Sequence, residues 1–285
     1  MVVEVDLHLH TTFSDGNLTP TELVDLCAEK GLNTISITDH DSTEGIEESI
    51  NYSIKYPDLE IIPGIELSTD YEGAEIHMLG FYINYKNKDL QKVLNDFRDG
   101  RQNRAYSIVE KLKSFGIDIS WERVLEISNK GSVGRPHIAQ AMVEKGYIKY
   151  PKEAFEKYLG RDQIGYISRT KFTPEQSIEL ITKYDGIPVI AHPTYIVQKS
   201  AQPNKDLEKI LSKLKIAGLK GVEVYYNDYT KDQIISLLKI SQKLDLIPCG
   251  GSDYHASGNP NEIIPGTVGP PVECLVELKK IRHPF

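Results

Sequence analysis

The chain has 285 residues, 40% of them hydrophobic and 26% charged, with a formal net charge of -8. These proportions are ordinary for a soluble globular protein with one large α/β core or two modest ones. A membrane span is excluded because no run of about eighteen apolar residues occurs, and the opening MVVEVDLHLH has neither the basic lead nor the apolar core of a secretion signal. A cytoplasmic protein is expected. Its three cysteines (Cys27, Cys249, Cys274), odd in number and far apart in sequence, are expected to fill core rather than to pair or bind zinc.

In chain order, the first strand is expected at 2–10, where Val3, Val5, Leu7 and Leu9 alternate with Glu4, Asp6, His8 and His10. One face would meet helices and the other would hold chemistry. The i, i+2 spacing of His8 and His10 places both imidazoles on that second face. A helix over 20–30 follows, with Thr19 as N-cap, Pro20 at the first position and Gly31 as its stop. The strand at 33–40 repeats the alternation, with Ile35 and Ile37 opposite Ser36, Thr38 and His40. By that parity Asp39 turns away from His40 and is expected to support the ligands or the fold, not to bind metal. A helix at 44–55 precedes strands at 60–67 and 75–82.

From 88 to 171 the alternation stops, and the pattern gives helices at 89–115, 121–128, 136–145 and 151–159. Alternation then resumes, with helices at 174–184, 205–217 and 231–244 between strands at 187–192, 221–225 and 246–252. Strand alternating with helix argues for a parallel sheet or barrel. We therefore expect a barrel domain of residues 1–87 and 172–285, with 88–171 as a helical insertion capping it. The insertion holds 17 Lys plus Arg against 11 Asp plus Glu, which leaves the barrel at 16 against 30. A basic cap over an acidic barrel would attract an anionic substrate.

Six of the eight histidines sit in short motifs that also supply carboxylates. HLHTTFSDG brings His8, His10 and Asp15, TDHD brings His40, and GIE brings Glu66. EIHMLG brings His77, AHP brings His192, and GSDYH brings Asp253 and His255. Imidazoles mixed with carboxylates suit a multinuclear divalent-metal site. Asp253 and His255 are also spaced i, i+2, which on a strand would let both bind one ion. Every one of these residues except His77 falls at a strand end or just after it, the rim where barrel enzymes gather their catalytic groups. His77 comes early in its strand, so that strand is expected to run in a different direction from its neighbours.

The ordered series HxH, SDG, TDHD, GIE, lone His, AHP and GSDxH, spanning Asp6 to His255, resembles the PHP (polymerase and histidinol phosphatase) family of metal-dependent phosphoesterases. The resemblance implies a distorted (β/α)7 barrel with a helical insertion and two to three divalent metal ions. Manganese, iron or zinc fit such ligands better than magnesium. It also implies three ligand sets: His8, His10, Glu66 and Asp253; Glu66, His77 and His192; Asp15, His40 and His255. The nucleophile would be metal-bound hydroxide, with no covalent intermediate, and His192 or His255 would assist proton transfer. All nine positions carry ligand-competent residues; Ala256 stands where the family often has Gly.

Within the insertion, GSVGRPHIAQAM reads as a glycine turn, Arg135, and a helix opened by Pro136. Backbone N–H groups and a guanidinium aimed together make a phosphate site. Arg101 and Arg104, one helical turn apart, and His137 are further candidates for substrate contact. The GRPHIA segment is similar to the stand-alone PHP phosphatases that act on nucleotides. The expected activity is hydrolysis of a phosphate monoester of a nucleotide, a nucleoside 3',5'-bisphosphate or the 5' end of short RNA. The alternatives are a histidinol-phosphate phosphatase and a polymerase-associated proofreading exonuclease or binding module. The expected partner is a small phosphorylated substrate, with no membrane and no obligate protein partner. Glu223 is expected near the rim without binding metal, and His283 is given no role.

Overall fold

The computed structural model describes residues 3–71, 74–128, 131–168 and 172–282; His283 lies outside them. Strand β1 (Val5–Leu9), helix α1 (Pro20–Glu29), β2 (Thr34–Ile37), α2 (Gly45–Ser53) and β3 (Glu60–Tyr71) open the chain. After β4 (Ala74–Phe81) come four helices in succession: α3 (Lys88–Ser114), α4 (Trp121–Ile127), α5 (Arg135–Glu144) and α6 (Pro151–Ala154), the last running into a π-helical turn at Phe155–Leu159. Then follow α7 (Pro174–Lys183), β5 (Ile187–Ala191), α8 (Pro203–Ile216), β6 (Gly221–Tyr226), α9 (Lys231–Leu244), β7 (Ile247–Gly251) and α10 (Glu273–Arg282). Capping boxes set three of the barrel helices: Thr19 with Glu22 opens α1, Thr173 with Gln176 opens α7, and Thr230 with Gln233 opens α9.

Among the described residues the sheet has seven strands in the order β1 to β7. β4 is antiparallel to both β3 and β5, and the other neighbours are parallel. The direction expected from the position of His77 is the one observed. The circle closes where the Asp253 N–H donates to the His8 carbonyl (2.9 Å) and the His10 N–H to the Tyr254 carbonyl (3.1 Å). A distorted (β/α)7 barrel results.

One apolar cluster fills the barrel's lower half, with Val5, Ile62, Phe81, Ile187, Val189 and Cys249 joined by Cys274, Leu275 and Leu278 of α10. These residues sit near the N-terminal ends of the parallel strands, so α10 plugs the end opposite the rim. The Cys249 and Cys274 sulfurs, 3.6 Å apart and buried, belong to this packing. A second cluster lies wholly within the 88–171 segment: Ile108, Leu112, Val124, Ile138, Met142 and Leu159 are among its members. That segment thus has an apolar core of its own.

The strict alternation expected of the first strand does not hold. The β1–β2 register shifts between Asp6 and Leu9. Val5 and Leu7 therefore pack inside the barrel, whereas Leu9 joins Leu23, Ile35 and Ile46 under α1 and α2. Asp6 leaves the histidine face, and one of its carboxylate oxygens accepts from the backbone N–H groups of His8 (3.3 Å) and Ser252 (3.0 Å). Burial lifts its pKa to about 7. The irregularity lets His8 and His10 turn inward at the rim above an apolar interior.

Close approach of β7 to β1 requires a residue without a Cβ at 251. A methyl group on Gly251 would meet the backbone nitrogen and Cβ of His8 and the carboxylate of Asp6. Gly251→Ala is expected to destabilise the protein by about 1–3 kcal/mol, read as a lower urea midpoint. An unchanged midpoint would show that β7 can move aside.

Candidate metal centre

At the rim, Glu66 stands at the centre of five imidazoles. Its Oε1 lies 2.8 Å from His77 Nδ1 and 3.3 Å from His192 Nε2. Its Oε2 lies 3.0 Å from His40 Nδ1 and 3.3 Å from the Nε2 atoms of both His8 and His10. Asp253 Oδ1 approaches the same two nitrogens, at 3.2 Å from His8 and 3.1 Å from His10. Asp15 lies across the cluster, with Oδ1 3.3 Å from His255 Nε2 and Oδ2 3.7 Å from His40 Nε2.

Three overlapping groups have donor atoms within 4.8 Å of one another: His8, His10, Glu66 and Asp253; His10, Asp15, His40 and His255; His40, Glu66 and His77. The first is the set implied by the family resemblance, and the second adds His10 to an implied set. In the third, His40 takes the place expected for His192. Asp253 and His255 do not share a strand. Both follow the end of β7, Asp253 in a left-handed conformation (φ 52°), and they fall into different groups. His192 is likewise left-handed at φ 30°, and such backbone strain persists only where the surroundings hold it.

Divalent metal ions fit this donor set. Among the described residues, buried His8 Nε2, His10 Nε2, His40 Nδ1, Asp15 Oδ1 and Glu66 Oε2 have no hydrogen-bond partner, although each faces an opposite charge. Orphaned atoms at such density are costly unless something else binds them. Burial alone would raise the Glu66 carboxyl, yet His40, His77 and His8 hold it well below its usual range. Asp15, buried likewise, is held well down by His40 and His255. Burial opposes protonation of His8, but Asp253 and Glu66 raise it well above the ordinary imidazole value. His255, also buried, is raised by Asp15 to about 10. Burial drives His40 the other way, to about 4, against the pull of Glu66 and Asp15.

A surrounding layer of hydrogen bonds fixes the rings. Buried Glu223 pairs with His8 Nδ1 (3.0 Å) through one oxygen and accepts the His192 N–H (2.6 Å) on the other. Such partners set the tautomer and orientation of ligating histidines. Asp39 turns away from His40 and accepts from the Thr11 N–H (2.7 Å), Thr11 Oγ1 (2.6 Å) and Ser14 Oγ (2.6 Å), holding the loop that carries Asp15. The Tyr226 hydroxyl donates to Asp253 Oδ2 (2.8 Å).

The cluster opens into a cleft of about 180 Å³ lined by Asp15, His40 and His77 together with Arg101, Arg104 and Arg135. The N-terminus of α5, at Gly134, Arg135 and Pro136, also faces it. Arg135 Nη1 donates to the Leu159 carbonyl (3.3 Å) and its guanidinium lies 5.5 Å from the Phe155 ring. Arg104 Nε donates to the Ile167 carbonyl (2.6 Å). Arg101 reaches buried Asp41 at 3.0 Å, whose other oxygen accepts the Ser68 N–H (3.0 Å). Nothing in the sequence pointed to Asp41, because its partner is sixty residues away. His137, a candidate for substrate contact, is buried; its Nδ1 accepts the Gly134 N–H (3.0 Å), and it is not among the residues that line the cleft.

The family model described as the PHP domain matches residues 6–224. The chain belongs to the PHP-domain family. Asp253 and His255 of this PHP-domain protein lie beyond the matched stretch, yet complete the cluster. A 5'-3' exoribonuclease of Haemophilus influenzae is 32% identical over 255 residues, covering 90% of this chain and 91% of its own. A 3',5'-nucleoside bisphosphate phosphatase of Chromobacterium violaceum is 28% identical over 275 residues, covering 96% and 94%. A crystal structure of a Bifidobacterium adolescentis protein described as a metal-dependent phosphoesterase superposes with a TM-score of 0.82 at 29% identity, covering 98% of this chain and 96% of the other. Among the described residues no helix is long and apolar enough to cross a membrane.

Proposed function

We propose that this PHP-domain protein is a metal-dependent phosphoesterase that hydrolyses a nucleotide, either a nucleoside 3',5'-bisphosphate or the 5' end of short RNA. The carrying observation is the cleft in which three arginines and a helix N-terminus face Asp15, His40 and His77 of the cluster. Guanidinium groups and helix-end N–H groups grip one phosphate, while a second phosphate reaches the imidazoles and carboxylates beyond. A nucleotide with two phosphates satisfies both. The names of the exoribonuclease and bisphosphate phosphatase relatives support the same substrate class.

Two to three divalent ions, manganese, iron or zinc, would be held by His8, His10, Asp15, His40, Glu66, His77, Asp253 and His255. When bound, such ions lower the pKa of a water and offset charge on phosphoryl oxygens. The chain's own residues do the rest. Arg135, with Arg101 and Arg104, binds the phosphate that stays intact and so aligns the other for in-line displacement. Glu223 and Asp39 keep the rings and the Asp15 loop in place. His192, outside the three groups, is assigned the proton passed to the leaving oxygen. The 88–171 segment acts as the cap that brings the arginines over the rim.

The test is phosphate release in manganese from adenosine 3',5'-bisphosphate, AMP and histidinol phosphate in parallel. A clear preference for the bisphosphate is expected. In Arg135→Ala the KM for the bisphosphate should rise about 10- to 100-fold with kcat little changed, the signature of lost ground-state binding. Equal turnover of AMP and bisphosphate would exclude a second phosphate anchor, and a preference for histidinol phosphate would replace the substrate class.

A further inference from the structure

We infer that a tyrosine-lined groove beside His192 seats the base of the nucleotide that follows the attacked phosphate in an RNA chain. The groove, of about 480 Å³, lies between the 3-10 turn at Pro193–Val197 and the N-terminal ends of α8 and α9. Tyr195, Tyr229, Gln198, Asn204, Gln233 and Asp228 contribute to its walls, and among the described residues no Lys or Arg lines it. It therefore contrasts with the arginine cleft: π faces and amides suit a base, and the absence of cations does not suit a phosphate.

A file of rings joins the two across the cluster. Centroids step from His40 to His77 (4.8 Å), from His77 to His192 (5.1 Å) and from His192 to Tyr195 (5.1 Å). Tyr195 is 36% exposed, and its hydroxyl reaches Tyr226 and Asp228 at 3.4 Å each, which orients the ring. The inference rests on the nucleotide reading above. With the 5'-phosphate of the first nucleotide among the arginines, its 3'-phosphate lies at the cluster. Water attacks that phosphorus, the P–O3' bond breaks, and O3' leaves with a proton. In a bisphosphate the released group is inorganic phosphate; in RNA it stays on O5' of the next nucleoside. That nucleoside must extend away from the arginine cleft, toward His192 and the groove.

Stacking on an aromatic side chain tolerates any base, so the groove predicts exonucleolytic use of RNA with little sequence preference. The experiment compares a 5'-phosphorylated dinucleotide with a nucleoside 3',5'-bisphosphate in manganese, using wild type, Tyr195→Ala, Tyr195→Trp and Asn204→Trp. Tyr195→Ala should raise the dinucleotide KM about 5- to 150-fold while the bisphosphate KM stays within about twofold. Tyr195→Trp should keep both activities. Asn204→Trp, which fills the groove from its exposed lip, should impair the dinucleotide alone. Equal losses on both substrates, or none on the dinucleotide, would overturn the subsite and leave the bisphosphate activity standing. A wild-type protein that turns over neither substrate would overturn the nucleotide reading and the subsite with it.

Discussion

Glu66→Gln is expected to lower phosphate release at least about 1000-fold and to strip most of the bound metal. The substitution keeps the side chain's size and removes its charge. In the structure that charge faces His8, His10, His40, His77 and His192 at 2.8–3.3 Å, and two of the three donor groups pass through it. No other carboxylate among the described residues is so placed: Asp253 serves the His8 side and Asp15 the His255 side. An amide offers one weak oxygen donor where two anionic ones stood, so any ions held by the two donor groups that share Glu66 would be bound more weakly. Elemental analysis alongside the manganese-dependent assay checks this. Full metal content with turnover within tenfold of wild type would show that the histidines suffice and that Glu66 only balances charge.

Much of the barrel could be read from the chain because its strands alternate with helices bounded by local signals. Thr19, Thr173 and Thr230 each announce a helix start within four residues. The placement of His77 forecast the antiparallel β4, since only a reversed strand brings an early residue to the rim. The shift within β1 was not legible. The alternation of Val5, Leu7 and Leu9 is continuous in sequence, and only pairing with β2 splits it. Helix α10 was missed although Cys274, Leu275 and Leu278 share a face; its shortness and basic end look like a solvated tail until the open barrel bottom is seen.

The metal-competent residues were legible because each motif is local, and the family resemblance anticipated the first donor group in full and the others in part, with His40 standing where His192 was expected. Which imidazole shares which carboxylate depends on the left-handed turns at His192 and Asp253, and these move Asp253 and His255 to different neighbours. Of the long-range partners, Glu223 was expected near the rim, whereas Asp41 gave no signal. Glu223 holds His8 from 215 residues away, and Asp41, which follows β2, pairs with Arg101 of α3. Arg101 and Arg104 stand out by their helix spacing and Arg135 by its glycine turn and helix start, and all three line one cleft. His137 was a candidate as the neighbour of Arg135, and it is buried, its ring nitrogen accepting a backbone N–H at the start of its own helix.

The metal-free protein should lose stability as pH rises from about 6.5 to 10, and divalent metal should abolish that loss. His8 and His10 are raised and His255 is raised to about 10. A group with a raised folded pKa stabilises fully below its unfolded value and ceases to do so as pH passes the folded one. Asp15, Glu66 and Asp253 are depressed; their contribution is present above their unfolded values near 4 and is lost only in acid. Three anions matched by three protonated imidazoles thus hold the empty cluster together between about pH 4.5 and 6.5. A metal ion needs the same imidazoles neutral, so loading releases protons, roughly three per chain near pH 6. Thermal melts of chelated protein should fall by at least about 5 °C between pH 6.5 and 9.5, and manganese-loaded protein should stay level. Calorimetric titration with manganese in buffers of different ionisation enthalpy measures the proton count. A count near zero, with a flat melting profile for the chelated form, would mean that the histidines are already neutral and that the carboxylates are held by something other than their charge.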